Sequence, residues 1–146
     1  MRNSKHNLLS KRNNGYFYIA FNKSMPGWIK IGITKKTPNN RMAGLSQSTP
    51  LNYTIIHSEY IPMVTKVEAD IKSLFNPTII NLKGKEYKVN YNHGREWIYY
   101  GNNHDASPLS FIRSWNNRSE LVKRIKGELY RSIMNNSSGS IISGLL

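Results

Sequence analysis

Two stretches near the start of the chain have the side-chain pattern of β-strands. Residues 15–21 (GYFYIAF) and 28–34 (WIKIGIT) are rich in aromatic and β-branched side chains, which pack well on a pleated sheet. The residues between them, 22–27 (NKSMPG), have the composition of a turn that includes Pro26 and Gly27. The pattern predicts two strands joined as a hairpin with a long loop.

Two helices are predicted from their boundary signals. Thr37 followed by Pro38 is typical of an N-cap and a first helical position, and this helix would continue through Leu45. Pro62 and Pro77 bracket a second helix. Its apolar residues recur at helical spacing, and they are Val64, Val67, Ile71, Leu74 and Phe75.

Three further segments have strand character. Residues 51–60 (LNYTIIHSEY) alternate between apolar and polar side chains, which predicts a third strand of the sheet. Residues 86–90 (EYKVN) and 95–100 (REWIYY) predict two short strands around a Tyr-Asn-His-Gly turn.

The last third of the chain predicts one amphipathic helix. It would begin at Asn117 or Ser119 and end near Met134, and its apolar stripe is formed by Leu121, Ile125, Leu129 and Ile133. Such a stripe packs a helix on its own domain, or it serves as a dimer contact or a DNA-contacting helix. Both interpretations are open at this point.

Together these elements predict an α/β fold, with a small, mainly antiparallel sheet of three or more strands flanked by helices. We expect a disordered basic arm at residues 1–14 and the folded domain at 15–104. A C-terminal helical extension would follow at 105–134 and a flexible tail at 135–146.

Charge is the most informative feature of the composition. The 146 residues include 21 Lys and Arg against 8 Asp and Glu, a formal net charge of +13. The excess is spread along the chain, as +4 over residues 1–14, +6 over 15–104 and +3 over 105–146. A basic folded surface indicates an anionic partner, with DNA favoured and RNA or an anionic surface as the alternative.

Several function classes find no support in the sequence. There is no cysteine, and the four histidines have no short metal-ligand spacing, so a zinc hydrolase or thiol enzyme is not indicated. No phosphate-binding glycine loop or GxSxG motif occurs. No apolar run reaches membrane-spanning length, and the basic arm lacks a signal-peptide core or an amphipathic presequence pattern. We expect a cytoplasmic protein with no membrane partner.

One set of residues has the chemistry of phosphodiester hydrolysis. Tyr16 and Tyr18 are two apart and face one side of a strand, followed by Lys30, then Arg41 and Glu68 on the two helices. A tyrosine can relay a proton, an arginine fork matches phosphate oxygens, and one carboxylate can hold one Mg²⁺. The tyrosines are also compatible with a role in the core, and Glu68 with an i,i+4 ion pair to Lys72.

Four short motifs follow one another along residues 15–100. They are Tyr16-Phe17-Tyr18, Ser24 to Gly27, Lys30 to Thr34, and Gly94-Arg95-Glu96-Trp97. With these motifs the segment resembles the GIY-YIG nuclease superfamily, and within it most closely the phage T5 open-reading-frame 172 family of DNA-binding proteins. Membership of this family implies a GIY-YIG-like fold. Because the family is common in phages, it also implies a protein of a bacterial or phage-infected cell.

The resemblance also implies roles for single positions. Tyr18 matches the family's catalytic tyrosine, and Tyr16 lies beside it. Arg41 matches the family's helix arginine. Glu68 matches the glutamate that binds a single Mg²⁺ or Mn²⁺ ion. Lys30 stands where nucleases carry a second tyrosine, and Lys72 stands where this branch has a histidine. Glu96 is a reserve metal ligand.

DNA contacts are expected from the end of the second strand and from the later motif. These residues are Gly32, Thr34, Lys35, Lys36 and Arg95, with Gly32 allowing close approach of the backbone to phosphate. The sequence therefore predicts a DNA-binding protein that is a Mg²⁺-dependent endonuclease, with a non-catalytic DNA-binding module on the same fold as the alternative.

Overall fold

The computed structural model describes residues 13–47, 49–92, 94–101 and 117–145. Its main sheet has four antiparallel strands in the order β3-β1-β2-β6. Their bounds are β1 Gly15–Asn22, β2 Trp28–Thr34, β3 Tyr53–Ile61 and β6 Trp97–Tyr99. The predicted hairpin and third strand are confirmed. Nearly all of the predicted arm and residues 105–116 of the predicted extension lie outside the described residues.

A second, two-stranded sheet pairs β4, Ile79–Leu82, with β5, Lys85–Lys88. Lys83 and Gly84 form its two-residue turn with φ of 53° and 78°, the backbone that a tight hairpin with twisted strands requires. The prediction of strands at 86–90 and 95–100 around one turn is wrong in its pairing. The first segment pairs with β4, which the sequence analysis missed, and the second joins the main sheet beside β2.

Three helices lie within the described residues, namely α1 Pro38–Ser46, α2 Val64–Phe75 and α3 Arg118–Leu145. Thr37 caps α1 by accepting a hydrogen bond from the backbone N–H of Asn40, as its position before Pro38 predicts. None of these helices is both long and apolar enough to cross a membrane.

Alternation along the strands gives the main sheet two different faces. One face, here called the core face, carries Phe17, Ile19, Ile29, Ile31 and Ile98, all fully buried against α2 and α3. The other, here called the site face, carries Tyr16, Tyr18 and Ala20 of β1 opposite Thr34, Gly32 and Lys30 of β2. Helix α1 covers part of the site face by packing Met42 against Tyr18 and Ala20.

Helix α3 completes the core. Leu121, Ile125 and Leu129 are fully buried in the same apolar cluster as the core face, so the apolar stripe packs on the chain's own domain. The helix continues past Met134 to Leu145, so it ends later than the sequence predicts. Asn136 supports this extension, because its side chain donates hydrogen bonds to the Ser132 carbonyl and to Asp70 of α2.

Candidate functional site

Tyr18 is the largest fully buried side chain of the site face. It is 1% exposed, and its ring lies over Gly32 of the neighbouring strand. A Cβ atom added at Gly32 would lie 2.5 Å from Cζ of Tyr18, far inside van der Waals contact. The glycine expected to admit a phosphate therefore makes room for the tyrosine ring, which fixes the ring on the sheet.

Arg41 joins α1 to this tyrosine. Its guanidinium is a hydrogen-bonding partner of the Tyr18 hydroxyl, while the rest of the exposed side chain faces solvent. Burial raises the pKa of Tyr18, the bond and charge of Arg41 oppose that rise, and Glu68 adds to it. The net pKa is above the ordinary value, so at neutral pH the hydroxyl keeps its proton.

Lys30 lies on the same face of the sheet, two residues before Gly32 in β2. Its Nζ is 5.3 Å from the centre of the buried Trp97 ring, within the range of a cation–π contact. Burial lowers the pKa of Lys30, Glu96 opposes this, and the positive charges of Arg41 and Lys72 add to it. The amine is therefore easier to deprotonate than an ordinary lysine.

Glu68 projects from α2 toward the same group of charges. Its Oε1 lies 3.4 Å from Nζ of Lys72, with the two side chains 16% and 23% exposed. The predicted i,i+4 ion pair is thus confirmed, and the same carboxylate acts electrostatically on both Tyr18 and Lys30. Tyr18, Lys30, Arg41 and Glu68 form one cluster where the hairpin, α1 and α2 meet, here called the charged cluster.

Among the described residues, no group of three His, Cys, Asp or Glu side chains is placed to hold a metal ion. Mg²⁺ does not need one, because it usually binds through one or two carboxylates and keeps waters or substrate phosphates as its other ligands. Glu68 supplies one such carboxylate, and Glu96 is the second acid whose charge reaches Lys30. The donor set fits a singly anchored Mg²⁺ and does not fit a closed metal centre.

A groove adjoins the charged cluster at the end of β2. It has a volume of about 410 Å³, and it is lined by Thr34, Lys35, Lys36, Asn40, Arg41 and Gly44. Arg41 is common to the groove and the charged cluster. Nζ of Lys35 donates to the carbonyl of Asn14 at 2.8 Å, while the side chain of Lys36 is exposed. Three of the five predicted DNA contacts, Thr34, Lys35 and Lys36, therefore line one surface.

Four other predicted residues lie outside this groove lining. Nε of Arg95 donates to the carbonyl of Asn76 at 3.0 Å, which ties the loop before β6 to the end of α2. Glu96 takes part only through its charge on Lys30, and the half-buried Tyr16 ring packs edge-on against Tyr60 of β3. Gly32 is covered by Tyr18, as described above.

Three participants have roles that the sequence analysis does not predict. Lys72 acts as a cation on Lys30 in addition to pairing with Glu68, Asn40 lines the groove, and Trp97 contacts Lys30 in addition to belonging to the later motif. Asn40 had a usable signal, since it follows the N-cap of α1 by three residues on the same helical turn as Arg41. The contact of Trp97 with Lys30 depends on the β2–β6 pairing, for which no local signal exists.

The profile of the T5orf172 domain family matches residues 15–118. The match runs from the first residue of β1 to the first residue of α3, so it includes the charged cluster, the groove and both sheets. No curated protein and no solved structure matches the chain.

Proposed function

The chain belongs to the T5orf172 domain family, and from this membership and the site geometry we propose that it binds DNA and hydrolyses its phosphodiester bonds with Mg²⁺ or Mn²⁺. The observation that carries the proposal is the position of Arg41. One guanidinium both contacts the buried Tyr18 hydroxyl and lines the basic groove. A phosphate held by Arg41 would therefore lie beside Tyr18.

Binding to DNA is supported by charge and shape. The formal net charge of +13 provides long-range attraction to a polyanion, and the groove supplies lysine and arginine side chains at short range. Contacts of this kind are with phosphate groups, so affinity should fall steeply with salt whatever the base sequence.

Hydrolysis is supported by complementary roles in the charged cluster. The Arg41 fork matches two phosphate oxygens and can stabilise the charge that builds on them in the transition state. The protonated Tyr18 hydroxyl can donate a hydrogen bond or a proton, and Glu68 would hold the ion, with Glu96 as reserve. A bound Mg²⁺ supplies Lewis-acid polarisation of the phosphate and a more acidic water. We assign this arrangement to the GIY-YIG class, with Lys30 at the position of its second tyrosine.

The second candidate is a DNA-binding module without hydrolysis, and one contact favours it. The Glu68 carboxylate is already paired with Lys72 at 3.4 Å, and a cation at that position competes with a metal ion for the same oxygens. In this case Lys72 and Lys30 would serve as further phosphate-binding cations, and the cluster would hold DNA without cutting it.

Nicking of supercoiled plasmid, with Mg²⁺, Mn²⁺ or EDTA, separates the two candidates when gel-shift binding is measured on the same samples. We expect metal-dependent nicking by the wild type and its loss in Glu68→Ala, with binding retained. Glu128→Ala is the matched control, since Glu128 pairs with Arg131 on α3 in a similar helical ion pair. Salt-sensitive binding without nicking in either metal would establish the non-catalytic module. Nicking that survives in Glu68→Ala would move the metal to Glu96.

Arg41→Ala distinguishes catalysis from simple phosphate contact in the same assay. Removal of a donor aimed at developing charge typically costs about 10²–10³ in rate. We therefore expect nicking to fall by about that factor and DNA affinity by much less. Equal losses of nicking and binding would mean that Arg41 is one more phosphate contact.

A further inference from the structure

Tyr60 is a large aromatic side chain left in solvent on the site face. It is 59% exposed, and it lies next to the end of the pairing between β1 and β3, beside the terminal pair of Gly15 and Ile61. Its ring meets that of Tyr16 in a T-shaped arrangement, with the ring centres 5.2 Å apart and the planes at 69°. Tyr16 therefore holds the Tyr60 ring from one side and leaves much of it open.

The tyrosine pair is in register with the basic groove. Tyr60 lies opposite Tyr16, and Tyr16 lies opposite Thr34, so the three residues form one row across β3, β1 and β2. Neighbouring strands are about 4.8 Å apart, so the distance from Tyr60 to Thr34 across the row is comparable to the length of one or two nucleotides. Thr34 lines the groove with Lys35 and Lys36. The row thus runs from an exposed aromatic ring to a phosphate-binding surface.

We propose that Tyr60, supported by Tyr16, is a stacking platform for an unpaired DNA base whose phosphates lie in the basic groove. The inference rests on the proposed DNA binding and adds to it a class of substrate, namely single-stranded DNA or duplex with an unpaired base. Aromatic side chains beside a basic groove are the common device for binding single strands, because every base has a face that stacks. In an intact duplex the bases already stack on one another, so the platform has nothing to hold.

The position of a second exposed tyrosine shows why exposure alone does not suggest such a site. Tyr87 is 36% exposed on β5, in the separate two-stranded sheet, and its ring is contacted by Lys85 of the same strand. It does not line the groove and is not in register with Thr34. Tyr60 differs because its supporting residue, Tyr16, lies opposite Thr34, which lines the basic groove.

The test compares three labelled ligands by fluorescence anisotropy. They are a single-stranded oligonucleotide, a strand with the same number of phosphates and abasic sites in place of its bases, and the matching duplex. The variants are Tyr60→Ala, Tyr60→Leu and Tyr60→Phe, with Tyr87→Ala as the matched control and a thermal melt for each. Leucine keeps an apolar, strand-compatible side chain without a π-face, and phenylalanine keeps the ring.

We expect Tyr60→Ala and Tyr60→Leu to weaken binding of the natural single strand by about fivefold or more, the effect of one lost base–aromatic stack. Binding of the abasic strand and of the duplex should change by less than about twofold, and Tyr60→Phe and Tyr87→Ala should bind as the wild type does.

Three results would overturn the platform while leaving DNA binding intact. These are equal losses on the natural and abasic strands, no loss on either, or wild-type binding of duplex with no affinity for single strands. A clear preference for the same sequence as RNA would reassign the platform to RNA. Failure of the wild type to bind any of the DNA ligands would reject the proposed function and this inference together.

Discussion

The two faces of the main sheet are made by alternate residues of the same strands, and they differ in almost every property. On the core face, Phe17 and Ile19 are fully buried among aliphatic side chains from α2 and α3. On the site face, Tyr18 is fully buried and Lys30 is half-buried, but both lie among charges from two helices. Both faces therefore bury side chains, and they differ in the neighbours of those side chains. These neighbours are aliphatic on the core face and charged on the site face.

This difference separates the source of stability from the site of the proposed chemistry. Burying an aliphatic side chain stabilises the fold by about 1.5–3 kcal/mol, whereas burying a cation or a hydroxyl costs free energy unless partners compensate. Lys30 has its pKa lowered by burial, which is the sign that compensation is incomplete. The site face keeps such groups, and the core face provides the stability that tolerates them.

The largest effect is expected from the core face. Ile125 of α3 is fully buried in the core cluster. Ile125→Ala should lower the free energy of unfolding by about 2–5 kcal/mol through lost transfer free energy and the cavity left behind. Urea denaturation measures the loss. The folded molecules should bind DNA as tightly as the wild type, because no residue of the groove is changed.

Lys123→Ala is the matched control, since Lys123 is exposed on the same helix two residues earlier. It should change stability by no more than about 0.5 kcal/mol. If Ile125→Ala lost less than about 1 kcal/mol, α3 would not be part of the core, and the contrast between the two faces would fail.

The elements that the sequence predicts best are those with local signals. The hairpin at 15–34 follows from its alternation, and the start of α1 follows from the Thr37 cap and Pro38. The β4–β5 hairpin also had a local signal, the glycine of its two-residue turn at Gly84, but its flanks alternate weakly and are mostly exposed. The pairing of β6 with β2 joins residues about 70 apart in sequence, as in Lys30 with Trp97, and no local pattern encodes it.

The charged cluster was predictable in part for the same reason. The Glu68–Lys72 pair follows from helical spacing, and the common side of Tyr16 and Tyr18 follows from strand periodicity. The meeting of Tyr18 with Arg41 and Glu68 required the family resemblance, because it depends on how two helices pack against a sheet. The role of Gly32 beneath the Tyr18 ring depends on strand register at atomic distances, which no sequence pattern gives.

The second prediction concerns Asp70, a charged group between α2 and α3, the two helices that cover the core face. It is an exception to the contrast between an aliphatic core face and a charged site face. Asp70 of α2 accepts hydrogen bonds from Ser132 at 2.9 Å and from Asn136 at 3.2 Å, both on α3, and from Lys66 at 3.1 Å. Burial opposes the charge, but these hydrogen bonds outweigh it and hold the pKa of Asp70 below its ordinary value. The carboxylate therefore links the two helices.

Asp70→Asn should lower the free energy of unfolding by about 1 kcal/mol at neutral pH, a value reduced because the site is partly solvated. A carboxyl whose folded pKa is lowered stabilises the fold above its ordinary pKa of 3.8, and this stabilisation is lost as pH falls through the folded pKa. The difference between wild type and variant should therefore vanish in acid. Urea titrations across that range measure it, and a difference independent of pH would show that the charge has no part in joining α2 to α3.

The smallest effect is expected from Lys30, and its sign sharpens the comparison. Lys30→Met keeps the length of the side chain and removes a charge that burial disfavours, so the variant should be more stable than the wild type by up to about 1 kcal/mol at neutral pH. Its DNA affinity should fall, because a cation of the charged cluster is lost. The exposed Lys23, in the loop between β1 and β2, is the matched control, and Lys23→Met should leave stability unchanged.

The pH dependence distinguishes this cause from a simple gain in packing. Since the pKa of Lys30 is lowered on folding, the unfolded chain binds its proton more tightly, and wild-type stability gains from deprotonation as pH rises from the lowered pKa toward 10.5. Lys30→Met has no such proton, so its advantage should shrink over that window. An advantage that stayed constant with pH would come from packing against Trp97, and a loss of stability would mean that Glu96 and the Trp97 ring compensate the buried charge in full. Only the first pattern makes Lys30 a residue kept for its chemistry at a cost in stability.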